Sequence, residues 1–325
     1  MKPIRVAVVG LGRMGRRHLR VLSEMTGVEV VCTVDPLAPE RSAGLPHFPS
    51  PQRALASLGL DAAVVATPTS THGEVAGILL EAGVPTLVEK PLAATVVEAE
   101  DLAGVANRTG TALVVGHVER FNPAVQGVQE LLAAGTLGTP LAFTFRRVGL
   151  PPSSPPDADV LADLAVHDLD VCALLSGQTP TLVGAVAWPD SGPAESAQLL
   201  LLAGGASVAL QVNWRTPIRI REFSLTTDRC LVEVNYTTQD IRVTEPMDTR
   251  EVEGFNAFQS HYGAARSISL EISGGEPLAA QASAFLALLR GQSSPLLAGA
   301  DAGLDAVRLA AMASAMAGTA CKVRP

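Results

Sequence analysis

Aromatic residues are scarce in this sequence: Phe, Trp and Tyr together make up 4%. Hydrophobic residues still reach 47%, so any core is built from Ala, Val and Leu, and a disordered chain is excluded. Basic residues are the minority, 24 Lys and Arg against 32 Asp and Glu, for a net charge of −8. An acidic chain repels phosphate backbones, which excludes a general nucleic-acid binder. Arg13, Arg16, Arg17 and Arg20 form a small local basic patch. Cysteine is sparse too. Cys32, Cys172, Cys230 and Cys321 lie far apart with no CxxC, which argues against a zinc framework or a disulfide scaffold and fits a reducing cytosol. The apolar run near Met1 lacks the longer core and small-residue cleavage site of a signal peptide, so a cytoplasmic location is expected.

Charge is missing altogether over 196–214. Ala203-Gly204-Gly205-Ala206 interrupts that stretch, leaving two arms of strand length. A soluble hairpin around a Gly-Gly turn is the expected structure, and a membrane span is not.

At roughly 150 residues per domain, 325 residues suggest two domains. Over 4–118, short apolar runs (4–10, 28–35, 61–67, 84–89 and 111–117) alternate with amphipathic segments (16–25, 52–58, 74–82 and 96–107). Runs of Val, Ala and Leu without polar alternation read as strands buried on both faces, which a parallel sheet requires. The alternation therefore predicts a doubly wound α/β domain with right-handed crossovers. Residues 122–135 predict a helix with Asn122 as N-cap, Pro123 in its first turn and Gly135 as its stop. Beyond it, strand-like runs follow one another at 141–148, 181–188, 198–214, 222–226, 230–235 and 241–244, which predicts a mostly antiparallel sheet. Helices are expected at 160–175, 276–289 and 301–317, the last with Asp301 as N-cap. The fold class is thus a Rossmann-type parallel sheet plus a carboxy-terminal α+β domain. The predicted domains are 1–120 and 121–325, with the last helices candidates to pack back on the first. The proline-rich run 151–156 reads as a stiff surface connection or a substrate-side flap.

Gly10-Leu11-Gly12-Arg13-Met14-Gly15 is a GxGxxG motif between a buried strand and an amphipathic helix. Gly10 suits the tight turn, Gly12 a close approach of the pyrophosphate, and Gly15 close packing of helix on strand, with the phosphates on the helix amino terminus. Asp35 follows Gly15 by 20 residues, the place of a carboxylate that accepts from the adenosine ribose hydroxyls. A carboxylate there repels a 2′-phosphate, and Pro36 and Leu37 supply no adjacent Arg. NAD is expected over NADP, with Arg41 the one nearby residue able to weaken that preference. Thr67-Pro68-Thr69-Ser70-Thr71-His72 follows the 61–67 strand, where ligands sit in such sheets; helix capping before Glu74 is compatible with cofactor contact.

Dinucleotide binding names no reaction. A hydride transfer also needs a proton acceptor and a group that polarises the substrate oxygen. Glu89-Lys90-Pro91 ends the 84–89 strand. Its ammonium can donate to a substrate oxygen, but a lysine titrates near ~10.4 and serves as a base only if strongly perturbed. A snorkelling surface lysine is the alternative. A cis bond before Pro91 would aim the lysine sharply. Asp163 and His167 stand four apart on the predicted helix and share a face. A histidine titrates near ~6.5, which suits proton transfer at neutral pH, and a carboxylate beside it can orient it. Such a pair is also common as structure alone. No second His or Cys lies at ligand spacing, so no metal site is expected.

These motifs, together with Gly116-His117-Val118-Glu119-Arg120-Phe121-Asn122-Pro123, occur in the order that resembles the glucose–fructose oxidoreductase / inositol dehydrogenase / rhizopine-catabolism (Gfo/Idh/MocA) family over nearly the whole chain. The resemblance implies a Rossmann domain, a second domain whose open sheet face packs on another subunit as a homodimer or homotetramer, and a pocket between the domains. It implies a cofactor set of Gly10, Gly12, Arg13, Met14, Gly15, Asp35, Thr67, Pro68, His72, Glu89 and Lys90. It also implies a catalytic set in which Lys90 holds the reacting hydroxyl, His167 is the base and Asp163 positions substrate or histidine, although related enzymes differ on which of Lys90 and His167 takes the proton. The segment 117–123 further resembles the branch that oxidises the 3-hydroxyl of UDP-N-acetylglucosamine-type sugars. Arg120 is there a candidate for a substrate phosphate or carboxylate, or for an ion pair between domains. Residues 149–160 and 245–265 match no signature and are expected to shape substrate choice. The expected activity is an NAD-dependent sugar dehydrogenase, with an inositol or cyclitol dehydrogenase and a non-catalytic NAD-binding sensor as alternatives.

Overall fold

The computed structural model describes residues 2–37, 39–151, 158–189, 192–246 and 266–320. The proline run beyond Pro151, most of 245–265 and Cys321 therefore lie outside the described residues.

The first elements are β1 (Ile4–Val9), α1 (Arg13–Glu24), β2 (Val28–Val34), β3 (His47–Phe48), α2 (Pro51–Ser57), β4 (Ala62–Val65), α3 (His72–Glu81), β5 (Thr86–Glu89), α4 (Val96–Thr109) and β6 (Leu113–Gly116). Then come α5 (Pro123–Ala133), β7 (Pro140–Val148), a π-helical turn (Leu161–Ala165) and α6 (Val166–Ser176). Strands β8 (Thr181–Trp188), β9 (Ser196–Ala203), β10 (Ala206–Asn213), β11 (Ile220–Thr227), β12 (Leu231–Asn235), β13 (Asp240–Thr244) and β14 (Ser267–Leu270) follow in succession. Helix α7 (Pro277–Leu288), strand β15 (Ala298–Gly299) and helix α8 (Ala300–Ala320) complete the described chain.

Contacts divide the chain into two compact units. One comprises Met1–Phe121, Ser153–Asp170 and Glu276–Met312; the other comprises Asn122–Pro152, Val171–Gly275 and Ala313–Pro325.

In the first unit the sheet runs β15-β6-β5-β4-β1-β2-β3, parallel except for β15. Chain order reverses between β1 and β4, the position where such sheets open a ligand crevice at their carboxyl ends. Central strands carry apolar residues on both faces: Val6, Ala7, Val8 and Val9 are all buried. One face meets α3 and α4 through Leu79, Leu80 and Leu102, and the other meets α1 and α7 through Leu22, Phe285 and Leu286. Two-sided cover is what lets a parallel sheet exclude water from its slanted ladder. Helix α4 starts on a capping box, with Thr95 accepting from the Glu98 N–H and Glu98 from the Thr95 N–H, a device worth about 1 kcal/mol.

The second unit holds a sheet ordered β14-β13-β12-β11-β7-β10-β9-β8. Its pairs are antiparallel apart from β7 with β10. Alternation is clean along β9: Leu199, Leu201 and Ala203 are buried, while Gln198, Leu200 and Leu202 are exposed. The chargeless stretch is the expected hairpin, β9 turning into β10 through Gly204 and Gly205, both at positive φ as such tight turns require. Among the described residues no helix is long and apolar enough to cross a membrane. Phe143, Phe145, Phe223 and Tyr236 pack in series, the first pair stacked and the next two tilted, so a third of the scarce aromatic residues gather in one small core.

Three details differ from the sequence expectation. Helix α8 begins at Ala300, so Asp301 is not its cap but lies in its first turn, where a carboxylate still suits the helix dipole. The helix expected over 160–175 opens with the π turn. Strands β3, β15 and β14 carry no readable pattern, being two, two and four residues long.

Candidate active site

The glycine turn lies between β1 and α1. Gly10 adopts φ +89°, and a Cβ there would stand 2.6 Å from the Ala66 carbonyl oxygen; at Gly15 a Cβ would stand 1.7 Å from the Gly10 oxygen. At Gly12 an added Cβ meets no atom within 4 Å, so the space before it is open. No side chain caps α1 and no acidic residue occupies its first turn, which carries Arg13 and Met14. Free N–H groups, a positive dipole end and an open approach are what a pyrophosphate needs, and these residues fit a dinucleotide.

Asp35 follows β2, the strand beside this turn. Its Oδ2 accepts from the Leu11 N–H at 2.8 Å and its Oδ1 from the Leu37 N–H at 2.8 Å. The carboxylate is thus anchored to the glycine turn with lone pairs remaining for a ribose. His47 fastens it from behind: Nε2 donates to the Asp35 carbonyl at 2.8 Å and Nδ1 lies 3.0 Å from the Thr33 hydroxyl.

Thr67 and Pro68 follow β4. The Thr71 hydroxyl donates to Thr67 Oγ1 at 2.9 Å. His72 is buried, its Nε2 3.0 Å from the Thr67 carbonyl and its Nδ1 2.9 Å from the Pro91 carbonyl. The ring therefore spans the loops that follow two adjacent strands, β4 and β5.

Glu89 ends β5 and is buried. His18 Nε2 donates to its Oε1 at 2.8 Å. Burial pushes the Glu89 carboxyl up, but the His18 hydrogen bond, with the His18, Lys90 and His72 charges, outweighs it and holds the group below the ordinary carboxylate range. The Lys90–Pro91 bond is cis.

Lys90 Nζ donates to the Asp163 carbonyl at 2.7 Å and to Asp163 Oδ1 at 2.8 Å. Asp163 lies in the π turn, whose start is fixed by Asp159 Oδ1 accepting from the Leu161 and Ala162 N–H groups. His167, half-buried, is the second residue of α6. The structure thus joins Lys90 to Asp163, with His167 four residues along the same segment.

Arg120, expected at a substrate phosphate or in an ion pair between domains, is buried against Asp170 within the first unit. Its Nε reaches Oδ2 at 2.8 Å and Oδ1 at 3.0 Å, and its Nη2 reaches Oδ1 at 2.6 Å. His117 sits beside them, buried, with Nδ1 3.8 Å from Asp170 Oδ2. Burial pushes the His117 imidazole below its ordinary value; Asp170 opposes this, and Arg120 and Lys90 reinforce it. Among the described residues no three His, Cys, Asp or Glu side chains converge as a metal site would require.

With this geometry in place, comparison with known proteins decides the family. A model of the oxidoreductase family with an NAD-binding Rossmann fold, GFO_IDH_MocA, matches residues 4–117. The rhizopine catabolism protein MocA of Rhizobium meliloti is 30% identical over 244 residues, covering 67% of this chain and 73% of that protein. The chain belongs to the Gfo/Idh/MocA family. Another relative, the UDP-N-acetylglucosamine 3-dehydrogenase of Acidithiobacillus ferrooxidans, is 38% identical over 194 residues; the match covers 56% of this chain and spans only 58% of that relative's own length. A solved structure of that dehydrogenase superposes with a TM-score of 0.81 at 24% identity, covering 98% of this chain and 99% of the other, which shows a shared fold.

The sequence assigned no role to His18, His47 or Asp170, which in this Gfo/Idh/MocA chain contact the candidate residues Glu89, Asp35 and Arg120. His18 lies on α1, 71 residues from its partner Glu89, and no local spacing announces such a contact. Asp170 is visible in hindsight as the third aspartate of the run that begins at Asp163, seven positions beyond it.

Proposed function

We propose that this protein is an NAD-dependent dehydrogenase that interconverts a secondary alcohol and a ketone on a sugar, the 3-position of a UDP-N-acetylglucosamine-type nucleotide sugar being the favoured substrate. The single observation that carries the catalytic reading is the Lys90–Asp163 pair at the carboxyl end of β5, in the sheet that presents the glycine turn. Family membership and the 38%-identical 3-dehydrogenase support the substrate class.

An ammonium has three donors and no acceptor. Asp163 accepts hydrogen bonds from two of the Lys90 N–H groups, so the third is available to donate to a substrate oxygen and polarise it. In that role Lys90 is a donor, and the proton of the substrate hydroxyl passes to the His167 imidazole. Asp163 holds the lysine and leaves His167 to act as base. Bound NAD supplies the hydride acceptor. The Asp35 carboxylate accepts from the adenosine ribose hydroxyls and disfavours a 2′-phosphate, Gly12 and the first turn of α1 receive the pyrophosphate, and Thr67 and Pro68 flank the cofactor.

Formation of reduced cofactor, followed by absorbance across UDP-sugars, free sugars and inositols, tests this reading. Turnover on UDP-N-acetylglucosamine supports it. Turnover confined to inositols moves the assignment to a cyclitol dehydrogenase. NAD binding without turnover on any member of the panel makes the protein a sensor and contradicts catalysis.

A second copy of the chain is the proposed partner of the open sheet face in the second unit, where Val183, Val186, Trp188, Leu200 and Leu202 are exposed. Five large apolar side chains on adjacent strands β8 and β9 form a patch that a soluble monomer rarely leaves in water.

A further inference from the structure

The segment that carries Asp163 and His167 is fixed at two points. Asp163 is held by Lys90, the residue after β5. Asp170 is held by Arg120, four residues after β6. Strands β5 and β6 are neighbours, with Glu89 opposite Gly116, so the two attachments reach adjacent strand ends. His167 lies between them in sequence, and all five residues belong to the first unit.

Burial alone does not make the Arg120–Asp170 pair a stability device, because the cost of desolvating two charges can match or exceed their attraction. Its geometry is specific: three contacts of 2.6–3.0 Å, made by the planar guanidinium fork on a carboxylate whose side chain is 1% exposed. Such a fork fixes direction as well as distance. The segment it fixes also contains a π turn, a rare conformation found frequently at functional sites.

We propose that Arg120 and Asp170 are positioning residues: they set the orientation of the helix that carries His167, so that its imidazole meets the hydroxyl held by Lys90. The role of the Arg120 guanidinium is to hold the helix through Asp170. This rests on the dehydrogenase reading for its catalytic consequence, but not for its structural one.

The experiment compares wild-type protein with Arg120→Lys, which keeps the charge and loses the fork, and with the double variant Arg120→Met/Asp170→Leu, which removes both charges and leaves no buried ion alone. Two measurements are made: amide hydrogen exchange over 161–170 in cofactor-free protein, and steady-state kinetics with the best substrate of the panel. The expected result in each folded variant is exchange at least ~10-fold faster over 161–170 and kcat at least ~10-fold lower, with KM within ~3-fold and thermal stability of the double variant near wild type. Wild-type exchange or wild-type kcat in either variant overturns the proposal. So does a double variant in which kcat recovers along with stability, since that marks a merely structural pair. If Arg120→Lys does not fold, the double variant decides. Absence of turnover in the wild-type protein itself sinks the dehydrogenase reading separately, and the exchange data still decide whether the fork holds the helix.

Discussion

Lys90 and Asp163 are joined twice, the ammonium donating to both the backbone carbonyl and the carboxylate of a residue 73 positions further on. A flexible lysine stem gains a fixed direction from two acceptors on one residue. A strand-end ammonium becomes a placed donor by this means. Lys90→Ala and His167→Ala are each expected to cut turnover at least ~100-fold, the usual scale for loss of an acid–base or polarising group. Cofactor affinity, measured by calorimetry, is expected to stay within a few-fold of wild type, because neither side chain is assigned to the pyrophosphate or the adenosine ribose.

Asp35 is anchored through the Leu11 and Leu37 amides, and the ribose reading makes it the discriminator between cofactors. Asp35→Ala is expected to weaken NAD more than NADP. Dissociation constants for both cofactors check this; an equal loss for the two contradicts the ribose assignment.

Gly15 shows how tightly α1 packs on the turn before it. A methyl group there would lie 1.7 Å from the Gly10 carbonyl oxygen, a clash with backbone that no rotamer relieves. Gly15→Ala is expected to lower thermal stability and abolish cofactor binding together, whereas Gly12→Ala, with no protein atom within 4 Å of the new group, is expected to fold normally and lose cofactor affinity alone. A thermal melt and a binding titration on each variant separate the two effects.

Buried His117 gives a pH dependence with a definite sign. Burial, the leading cause, depresses its folded-state value below the unfolded value of about 6.5. On acidification the unfolded chain takes up the proton first, so this group's favourable contribution to folding is complete above about pH 6.5 and is lost as pH falls through the folded-state value. Urea unfolding at several pH values is expected to show His117→Phe losing less stability on acidification than wild type. Parallel curves would contradict the assignment.

Leu200 and Leu202 are exposed on the face of β9 opposite Leu199 and Leu201. If that face meets a second copy, Leu200→Arg is expected to yield a monomer by analytical ultracentrifugation where the wild type is an oligomer, without loss of the fold. A wild-type monomer would contradict the pairing.

Much of this architecture is legible in the sequence because its signals are local. Two-sided apolar strands, the GxGxxG turn, the Gly204-Gly205 hairpin and the Asn122 cap each follow from residues near one another in the chain. The second sheet's parallel pair, β7 with β10, is not local: its strands begin 66 residues apart with two other strands between them. The same division holds at the site. Lys90, Asp163 and His167 stand in short motifs. The pairings themselves are not local: Lys90 meets Asp163 across 73 residues, His18 meets Glu89 across 71 and Arg120 meets Asp170 across 50. A buried ion pair leaves no periodicity to read, and its existence depends on tertiary packing. The π turn at Leu161–Ala165 is equally silent, since its residues suit an ordinary helix.

The central claim is that Lys90 and His167 act on one substrate hydroxyl. A crystal structure of the ternary complex with NAD and a UDP-N-acetylglucosamine-type sugar tests it most directly. The account predicts Lys90 Nζ and one His167 ring nitrogen both within hydrogen-bonding distance of the same hydroxyl oxygen, on the carbon that faces the nicotinamide. A sugar bound with that hydroxyl out of reach of either side chain would contradict it.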